Sequence, residues 1–262
     1  MGEFALIYGQ TFLLILVLMT ILWLVSLALR NSSIVDIFWG PGFLVAAAAY
    51  FYLTNDGYII RKIIVLALVI AWSLRLGGYL LWRNAGQGED FRYQKMRQVN
   101  RRDWWWQSYF KVFLLQGVIM WLVSLPLLGA QIRTISNQLN LLDALGILVW
   151  AIGFAFETIG DWQLARFKRD PQNKGKLLTT GLWYYTRHPN YFGDACAWWG
   201  FGLLSLAAGS VLPVLGSLLM TYVIVRISGV AFLERSLRKT KPGYEEYIAH
   251  TSPFLPLPPK KP

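Results

Sequence analysis

Long blocks of apolar residues alternate with short polar segments along this chain. The blocks lack the two-residue or 3.6-residue periodicity of soluble strands and helices, and each runs for roughly the 20 residues that a membrane-spanning helix needs. The pattern therefore predicts an all-α integral membrane protein with seven transmembrane helices. The predicted spans cover residues 5–29, 34–54, 59–83, 109–131, 141–163, 191–209 and 211–233.

The basic residues predict how these helices are oriented, because cytoplasmic loops hold an excess of Lys and Arg. With the N-terminus outside, the cytoplasmic segments and their flanking residues contain 20 of the 25 Lys and Arg. We therefore expect an outer N-terminus and a cytoplasmic C-terminus. We also expect a single membrane domain over residues 1–262, with a substrate side at 1–131 and a cofactor side at 141–262.

Composition narrows the classes of function. The net charge of +11 needs no nucleic-acid partner, since the cytoplasmic bias and anionic lipid headgroups account for it. One Cys and two His, without an HExxH or CxxC pattern, predict that no metal is bound. The sequence also lacks GxGxxG and Walker A patterns, so neither a Rossmann fold nor a P-loop is indicated.

Several ionisable residues lie inside or at the ends of predicted spans. Such charges usually face the protein interior or a wet cavity, so each marks a candidate functional position. With the expected orientation, all of them fall in the cytoplasmic halves of their helices, which predicts one polar chamber open to the cytoplasm. A set of structural ion pairs is the alternative. These residues are Asp36, Arg75, Glu157, Asp161, Asp194, Arg226 and Glu234.

The segment before the sixth predicted helix combines cations with a helix start. Residues 164–190 are basic and end in Arg187-His188-Pro189, and proline suits the first turn of a helix. A helix N-terminus beside an arginine attracts anions, while the carboxylates of Asp161 and Asp194 can accept hydrogen bonds from hydroxyl groups. Phosphate-binding and hydroxyl-binding groups together predict a nucleotide-type cofactor.

Helical spacing adds two expectations. Glu157, Asp161 and Lys168 share a face if the fifth helix continues past its span, and Arg226 and Glu234 share a face of the seventh helix. In the front half, the acid Asp36 has no nearby Lys in its own helix and needs a partner in space. The segment GQGEDFRY (86–93) can fold back over the chamber mouth or remain a solvated loop in which Asp90 pairs with Arg92.

Four stretches resemble, in chain order, a bacterial membrane family related to steroid 5α-reductases (DUF1295). The wider superfamily also includes sterol reductases and membrane methyltransferases. The resemblance runs from about residue 33 to the C-terminus and implies seven transmembrane helices with NADPH held mainly by the last three. The stretches are SIVDIFWGPGF, SLRLGGYLLWRNAGQGEDFRY, GLWYYTRHPNYFGD and FLERSLRKTKPGYEEYIAHTSPFLPLPP.

The resemblance also implies site residues. Steroid 5α-reductases have an Asp, an Asn and an Arg where this chain has Asp161, Asn190 and Arg226, but an Asn and a Tyr where it has Glu157 and Glu234. The predicted cofactor-binding residues are Glu157, Asp161, Arg166, Lys168, Arg187, His188, Asn190, Tyr191, Asp194, Arg226 and Glu234.

The implied reaction is NADPH-dependent reduction of a carbon–carbon double bond in a Δ4-3-ketosteroid-like enone lipid, with hydride transfer to C5. Because charge develops on the ketone oxygen, a hydrogen-bond donor must meet it there, and a protonated Asp36 or Tyr79 is predicted for that catalytic role. Trp39, Arg75 and Tyr93 are predicted to contact a substrate that enters from the bilayer. The predicted location is the bacterial inner membrane, with the active site open to the cytoplasm.

Two other classes stay open at this point. A membrane methyltransferase that uses S-adenosylmethionine on an isoprenyl-cysteine or phospholipid substrate shares the Arg-His-Pro helix start. A non-enzymatic lipid-binding protein is the third reading, although it needs no paired buried charges. The basic loop favours the reductase, since NADPH has phosphate groups that require cations and S-adenosylmethionine has none.

Overall fold

The computed structural model describes residues 2–133, 135 and 137–260. Those residues are mostly helical, and the β-structure found among them is one isolated bridge between Thr186 and Ser252. The all-α prediction is therefore confirmed. The helices are α1 (Gly2–Leu29), α2 (Ile34–Ile37), α3 (Trp39–Leu53), α4 (Ile59–Asn84), α5 (Phe91–Asn100), α6 (Trp104–Ser108), α7 (Leu115–Val123), α8 (Leu125–Ile132), α9 (Leu141–Arg169), α10 (Leu182–Tyr185), α11 (Pro189–Ala207), α12 (Leu215–Tyr222), α13 (Val230–Thr240) and α14 (Tyr244–His250).

Four helical runs in the described part of the chain are long and apolar enough to cross a membrane, which indicates an integral membrane protein. Shorter apolar helices lie at Trp39–Leu53 and Leu212–Ile227. Seven spans and their orientation stay predictions. The four long runs are Gly2–Leu29, Ile59–Asn84, Phe91–Ile132 and Leu141–Arg169.

The chain forms two compact units. The first contains residues 1–139 and 205–213, and the second contains residues 140–204 and 214–262. Each unit carries one of the polar clusters described below. The expectation of a single membrane domain with a substrate side and a cofactor side stays a prediction.

In the first unit, α3 packs closely against α4. A Cβ at Gly40 would lie 3.0 Å from the backbone oxygen of Ser73, so glycine allows the two helices to approach. The buried rings of Phe43 and Trp72 meet edge to face across the same interface, with ring centres 5.8 Å apart. This contact holds α2, which directly precedes α3, beside the cytoplasmic end predicted for α4.

In the second unit, α9 and α11 approach through glycines spaced seven residues apart. A Cβ at Gly153 would lie 2.4 Å from the backbone nitrogen of Ala197, and one at Gly193 would lie 2.4 Å from that of Glu157. Seven residues are about two helical turns, so glycines at this spacing lie on one side of each helix. The close approach places the acids of α9 beside the start of α11.

The seventh predicted helix is not one continuous α-helix. A 3₁₀ turn at Leu212–Val214 precedes α12, and a π-helical segment, Val223–Ser228, separates α12 from α13. Gly229 closes that wide turn by donating its N–H to the carbonyl of Ile224, and a Cβ there would lie 2.3 Å from the same oxygen. The predicted shared face of Arg226 and Glu234 assumed α-helical spacing throughout, and this segment interrupts it.

Candidate functional site

The first unit contains a polar cluster that we call the Asp36 cluster, formed by Asp36, Asp90, Arg92, Tyr93 and Gln116. Arg92 donates from Nη2 to Asp36 Oδ2 at 2.7 Å, and Tyr93 donates from its hydroxyl to Asp36 Oδ1 at 2.6 Å. Gln116 donates to the Tyr93 hydroxyl at 3.1 Å, and Arg92 also binds Asp90 at 2.9 Å. Both carboxylate oxygens of Asp36 therefore already accept hydrogen bonds from the protein.

A second ion pair holds the loop at residues 86–93 against the segment before α2. Glu89 accepts hydrogen bonds from Arg97 at 2.8 and 3.0 Å and from the Ser32 N–H at 2.7 Å. Burial alone would raise the pKa of Glu89, but these hydrogen bonds outweigh it and the pKa lies below its ordinary value. The segment 86–93 is therefore docked against the residues before α2, and the Asp90–Arg92 pair of the solvated-loop alternative is present as well. A position over a chamber mouth stays a prediction.

The other front-half candidates lie near this cluster in the chain but have different neighbours. Trp39 packs edge-on against Phe43, with ring centres 5.2 Å apart. Tyr79 on α4 lies against Trp82, and the Arg83 guanidinium lies 5.8 Å from its ring centre. Arg75 is half-buried on the same helix. The tyrosine hydroxyl that binds Asp36 is that of Tyr93.

The second unit contains the Arg187 cluster, formed by Arg187, His188, Glu234 and Tyr244. Arg187 directly precedes α11, and its guanidinium donates to Glu234 Oε1 from Nε at 2.8 Å and from Nη2 at 2.6 Å. Only 5% of the arginine side chain and 16% of the glutamate side chain are exposed. The third guanidinium nitrogen binds the carbonyls of Ile248 and Thr251.

The C-terminal segment holds this arginine in place. The backbone of Arg187 donates to Ser252 at 2.9 Å, and the Thr186 hydroxyl donates to the carbonyl of Phe254 at 2.9 Å. Tyr247 donates its hydroxyl to the carbonyl of Trp183. The start of α11 and residues 244–257 therefore form one hydrogen-bonded structure, which the pattern GYEEY…SPF alone does not reveal.

His188 and Tyr244 complete the Arg187 cluster. His188 Nε2 lies 3.5 Å from Glu234 Oε1, and its ring stacks on Tyr191 with ring centres 5.6 Å apart. Burial would raise the pKa of Glu234, but the contacts from His188 and Arg187 outweigh it and lower the pKa. Burial and the nearby Glu234 carboxylate raise the pKa of Tyr244 to about 12. The Glu234 carboxylate therefore lies beside the Arg187 guanidinium and near a phenol that keeps its proton at neutral pH.

The acids of α9 meet the first turns of α11. Asn190 donates from Nδ2 to Asp161 Oδ1 at 3.1 Å, and both Asp161 and Glu157 are buried. Asp194 is half-buried one turn further along α11. The structure thus brings together four of the predicted cofactor residues by a direct contact or by the helix approach.

The predicted cofactor cations lie on exposed positions. Lys168 and Arg166 are exposed on the last turns of α9, where the Arg166 guanidinium lies 5.5 Å from the ring centre of Trp162. Arg226 is exposed within the π-helical segment. These side chains face the surface, in contrast to the buried guanidinium of Arg187.

A family model described as a protein of unknown function (DUF1295) matches residues 22–251. The chain belongs to the DUF1295 family. The resemblance to the steroid 5α-reductase-like family that the motifs indicated is thereby confirmed. Both polar clusters lie within the matched range, and Phe254 and the residues after it lie outside it.

Two similar proteins connect the DUF1295 chain to curated sequences. The uncharacterized protein C594.04c of Schizosaccharomyces pombe is 26% identical over 277 aligned residues, which cover 93% of this chain and 78% of that protein. A probable O-methyltransferase, ustE of Ustilaginoidea virens, is 39% identical over 69 residues, which cover 26% of this chain and 23% of that protein. No solved structure gives a significant match to the chain.

Sequence reasoning missed two contributors to these clusters. Gln116 reaches the Tyr93 hydroxyl from α7, and its signal in the sequence is a lone amide within an apolar run. Tyr244 is not among the predicted site residues, although it interacts with Glu234 and Arg187 in the Arg187 cluster. The partner of Asp36 was expected to exist, but only the structure identifies it as Arg92 and Tyr93.

Proposed function

We propose that this DUF1295 protein is an NADPH-dependent reductase of a steroid-like enone lipid. One observation carries the proposal: α9 continues from Leu141 to Arg169 without a break. A single helix thereby carries the buried Asp161, bound to Asn190, and then the exposed cations Arg166 and Lys168. Hydroxyl-binding acids followed by phosphate-binding cations are the two kinds of group that NADPH requires.

The residues of the second unit fit such a cofactor. Asp161, Asn190 and Glu157 offer oxygens and an amide to ribose hydroxyls, and Asn190 Oδ1 is a buried acceptor without a hydrogen-bond partner among the described residues. Arg166 and Arg226 are exposed and offer charge to phosphate groups. The Arg187 guanidinium is instead committed to Glu234 and to two backbone carbonyls, so we assign it a role in holding Glu234.

NADPH supplies a hydride when it is bound. The chain must then provide a hydrogen-bond donor for the ketone oxygen, because that atom gains negative charge as the enone is reduced. Asp36 accepts hydrogen bonds from Arg92 and Tyr93 and donates one only when it is protonated. We therefore propose the Tyr79 hydroxyl as the donor and Asp36 as a group that orders the loop 86–93.

The experiment is a binding titration of the detergent-solubilised protein with NADPH and, in parallel, with S-adenosylmethionine. We expect NADPH to bind and Arg226→Ala to weaken it by about 1–3 kcal/mol, as the loss of a charged hydrogen bond does. Arg133→Ala, at an exposed arginine of the first unit, is the control and should leave binding unchanged. Binding of S-adenosylmethionine without binding of NADPH would contradict the proposal.

A second candidate is a membrane methyltransferase that uses S-adenosylmethionine. The observation that favours it is the local similarity to the probable O-methyltransferase ustE. Its substrate would be an isoprenyl-cysteine or a phospholipid. The two candidates differ in their need for phosphate-binding cations, so substitution of the exposed Arg226 should weaken NADPH binding but leave S-adenosylmethionine binding intact.

A further inference from the structure

A cleft opens to the surface of the first unit between the segment that follows α1, the last turn of α4 and the loop after α4. Its volume is about 310 Å³, including the open mouth. The candidate membrane spans Gly2–Leu29 and Ile59–Asn84 both end beside it, so we place the cleft at the level of the lipid headgroups. None of its described lining residues is acidic, and they include Asn31, Ser33, Ile34, Ile37, Leu81 and Asn84.

The polar lining of the cleft offers hydrogen-bond donors. Asn31 Oδ1 accepts hydrogen bonds from the N–H and the hydroxyl of Ser33 at 2.9 and 2.5 Å, and Asn84 Oδ1 accepts one from Arg83 Nε at 3.1 Å. These contacts orient both amides and leave each NH₂ group without a hydrogen-bond partner among the described residues. Because an amide NH₂ only donates, a ligand has to present acceptor oxygens.

Two exposed arginines, Arg30 and Arg83, add positive charge at this lining. Each directly precedes one of the two asparagines in the chain. The carboxylates of the neighbouring loop do not neutralise them, since those carboxylates are bound to Arg92 and Arg97. The acceptor oxygens that suit the cleft are therefore those of an anion.

The backbone of Arg30 is unusual for an arginine. The end of α1 is closed by hydrogen bonds from the Asn31 N–H to the carbonyl of Ser26 at 3.0 Å and from the Arg30 N–H to that of Leu27 at 3.3 Å. This motif places Arg30 in the left-handed region, at a φ of 50°, where glycine is the usual residue. A side chain held there costs stability, which indicates a role for its guanidinium.

The rest of the cleft lining is largely apolar. Ile34 and Ile37 contribute to it from α2, and Leu81 contributes from α4. Leu81 is 59% exposed and the adjacent Trp82 is 55% exposed, on the last turn of a candidate span. Tryptophan favours the headgroup level of a bilayer, and exposed leucine favours its hydrocarbon. An acyl chain can therefore continue from the cleft along this surface.

The two kinds of lining together match one class of molecule. Phosphate oxygens suit the amides of Asn31 and Asn84 and the guanidinium groups of Arg30 and Arg83, while an acyl chain suits the apolar residues. Inorganic phosphate would use only the polar part. We propose that this cleft binds the headgroup of an anionic phospholipid from the surrounding membrane, an inference that does not depend on the proposed reductase function.

The test is native mass spectrometry of the full-length protein in detergent, titrated separately with dioleoyl phosphatidylglycerol and dioleoyl phosphatidylcholine. We expect phosphatidylglycerol to bind at least about fivefold more tightly, because the choline cation is repelled by the two arginines. The double variant Arg30→Gly/Arg83→Gln should reduce this preference to less than about twofold.

A second double variant is closely matched to the first. Arg101 is also an arginine with a left-handed backbone, at a φ of 33°, and Arg102 is exposed beside it. Arg101→Gly/Arg102→Gln therefore removes the same two charges from the same unit at a distance from the cleft in the chain. It should keep the preference for phosphatidylglycerol. An equal loss in the two double variants would show a diffuse charge effect and overturn the site.

Arg30→Gly alone has a readout that separates binding from folding. Glycine relieves the left-handed backbone, so the melting temperature without added lipid should rise by about 2–4 °C. The preference for phosphatidylglycerol should nevertheless fall about threefold, since one cation is lost. A variant that is more stable and binds the lipid normally would remove Arg30 from the site.

Inorganic phosphate and NADPH are added before the lipid as soluble competitors. Neither should change the affinity for phosphatidylglycerol by more than about twofold, because neither has an acyl chain for the apolar lining. Displacement by millimolar phosphate would make the cleft a site for a free anion. Displacement by NADPH would assign the cleft to the cofactor. Either result overturns the phospholipid site and leaves the reductase proposal standing, as does equal binding of the two lipids.

Discussion

The Asp36 cluster and the Arg187 cluster use the same kinds of side chain in opposite ways. In the first unit, both oxygens of Asp36 and both oxygens of Glu89 accept hydrogen bonds from the protein itself. In the second unit, the contacts that Glu234 makes with Arg187 and His188 all end on one of its oxygens, Oε1. One network is closed and the other is open.

This difference distinguishes a structural network, which fixes a loop, from a binding site. A closed network satisfies its own charges and fixes a loop, here the segment 86–93 against the start of α2. A network whose contacts end on one oxygen of Glu234 leaves the second oxygen as an acceptor for a ligand. The two clusters also differ in burial, since 36% of the Arg92 side chain is exposed but only 5% of the Arg187 side chain.

The largest expected effect comes from removing the anchor of the open cluster. Arg187→Ala leaves the carboxylate of Glu234 and the carbonyls of Thr251 and Ile248 without their donor inside the protein. Breaking a buried ion pair in this way costs about 3–5 kcal/mol. We expect a markedly lower melting temperature in detergent, measured by intrinsic tryptophan fluorescence.

Arg166→Ala is the matched control for that substitution. Its guanidinium is exposed beside Trp162, so the free energy of unfolding should change by no more than about 0.5 kcal/mol. Equal melting temperatures for the two alanine variants would contradict the structural role of Arg187.

Glu89→Gln should weaken the closed cluster by a smaller amount. The amide keeps an acceptor but loses the charge-assisted hydrogen bonds from Arg97, which is worth about 1–2 kcal/mol. The same variant should bind NADPH as the wild type does. A large loss of NADPH affinity with normal stability would show that the closed cluster is also part of the binding site.

Lowering the pH should destabilise the protein through both clusters. The pKa values of Glu89, Asp90 and Glu234 are lowered in the folded protein, in each case because hydrogen bonds and charges outweigh burial. Their stabilisation is present above the ordinary carboxyl pKa of about 4 and is lost as the pH falls through the lowered values. The melting temperature should therefore drop between about pH 5 and pH 3, and the drop should be less steep in Glu89→Gln. An equal slope in this variant would show that Glu89 does not contribute to the pH dependence of stability.

The smallest expected effect on binding belongs to Asp36→Asn. The amide can still contact Tyr93 and Arg92, so NADPH affinity should stay within about twofold of the wild type. Turnover of a Δ4-3-ketosteroid should fall, because the loop 86–93 loses a charged contact. Unchanged turnover, measured as NADPH oxidation, would remove Asp36 from the mechanism.

Much of the fold could be predicted because long apolar blocks determine helices on their own. Each of the seven predicted ranges falls on helical structure, and α9 extends past its span to Arg169 as the shared-face hypothesis required. The break between α12 and α13 could not be predicted, since a π-helical turn closed by Gly229 leaves hydropathy unchanged. Spacing arguments across residue 229 therefore fail.

The pairings within the clusters could be predicted only in part. The need for partners followed from the cost of isolated buried charge, which marked Asp36 and Glu234, whereas Arg187 was marked by its position before a helix start. The partners themselves lie far along the chain: 56 residues separate Asp36 from Arg92, and 47 separate Arg187 from Glu234. Helical periodicity carries no information over such distances.

The most direct test of the open-and-closed comparison is a parallel NADPH titration of Glu234→Gln and Glu89→Gln. Both variants replace a partly buried, arginine-bound glutamate by its amide, one in each cluster. We predict that the dissociation constant rises about tenfold in Glu234→Gln and changes less than twofold in Glu89→Gln. Equal effects of the two variants on NADPH binding, or an effect confined to Glu89→Gln, would contradict the account.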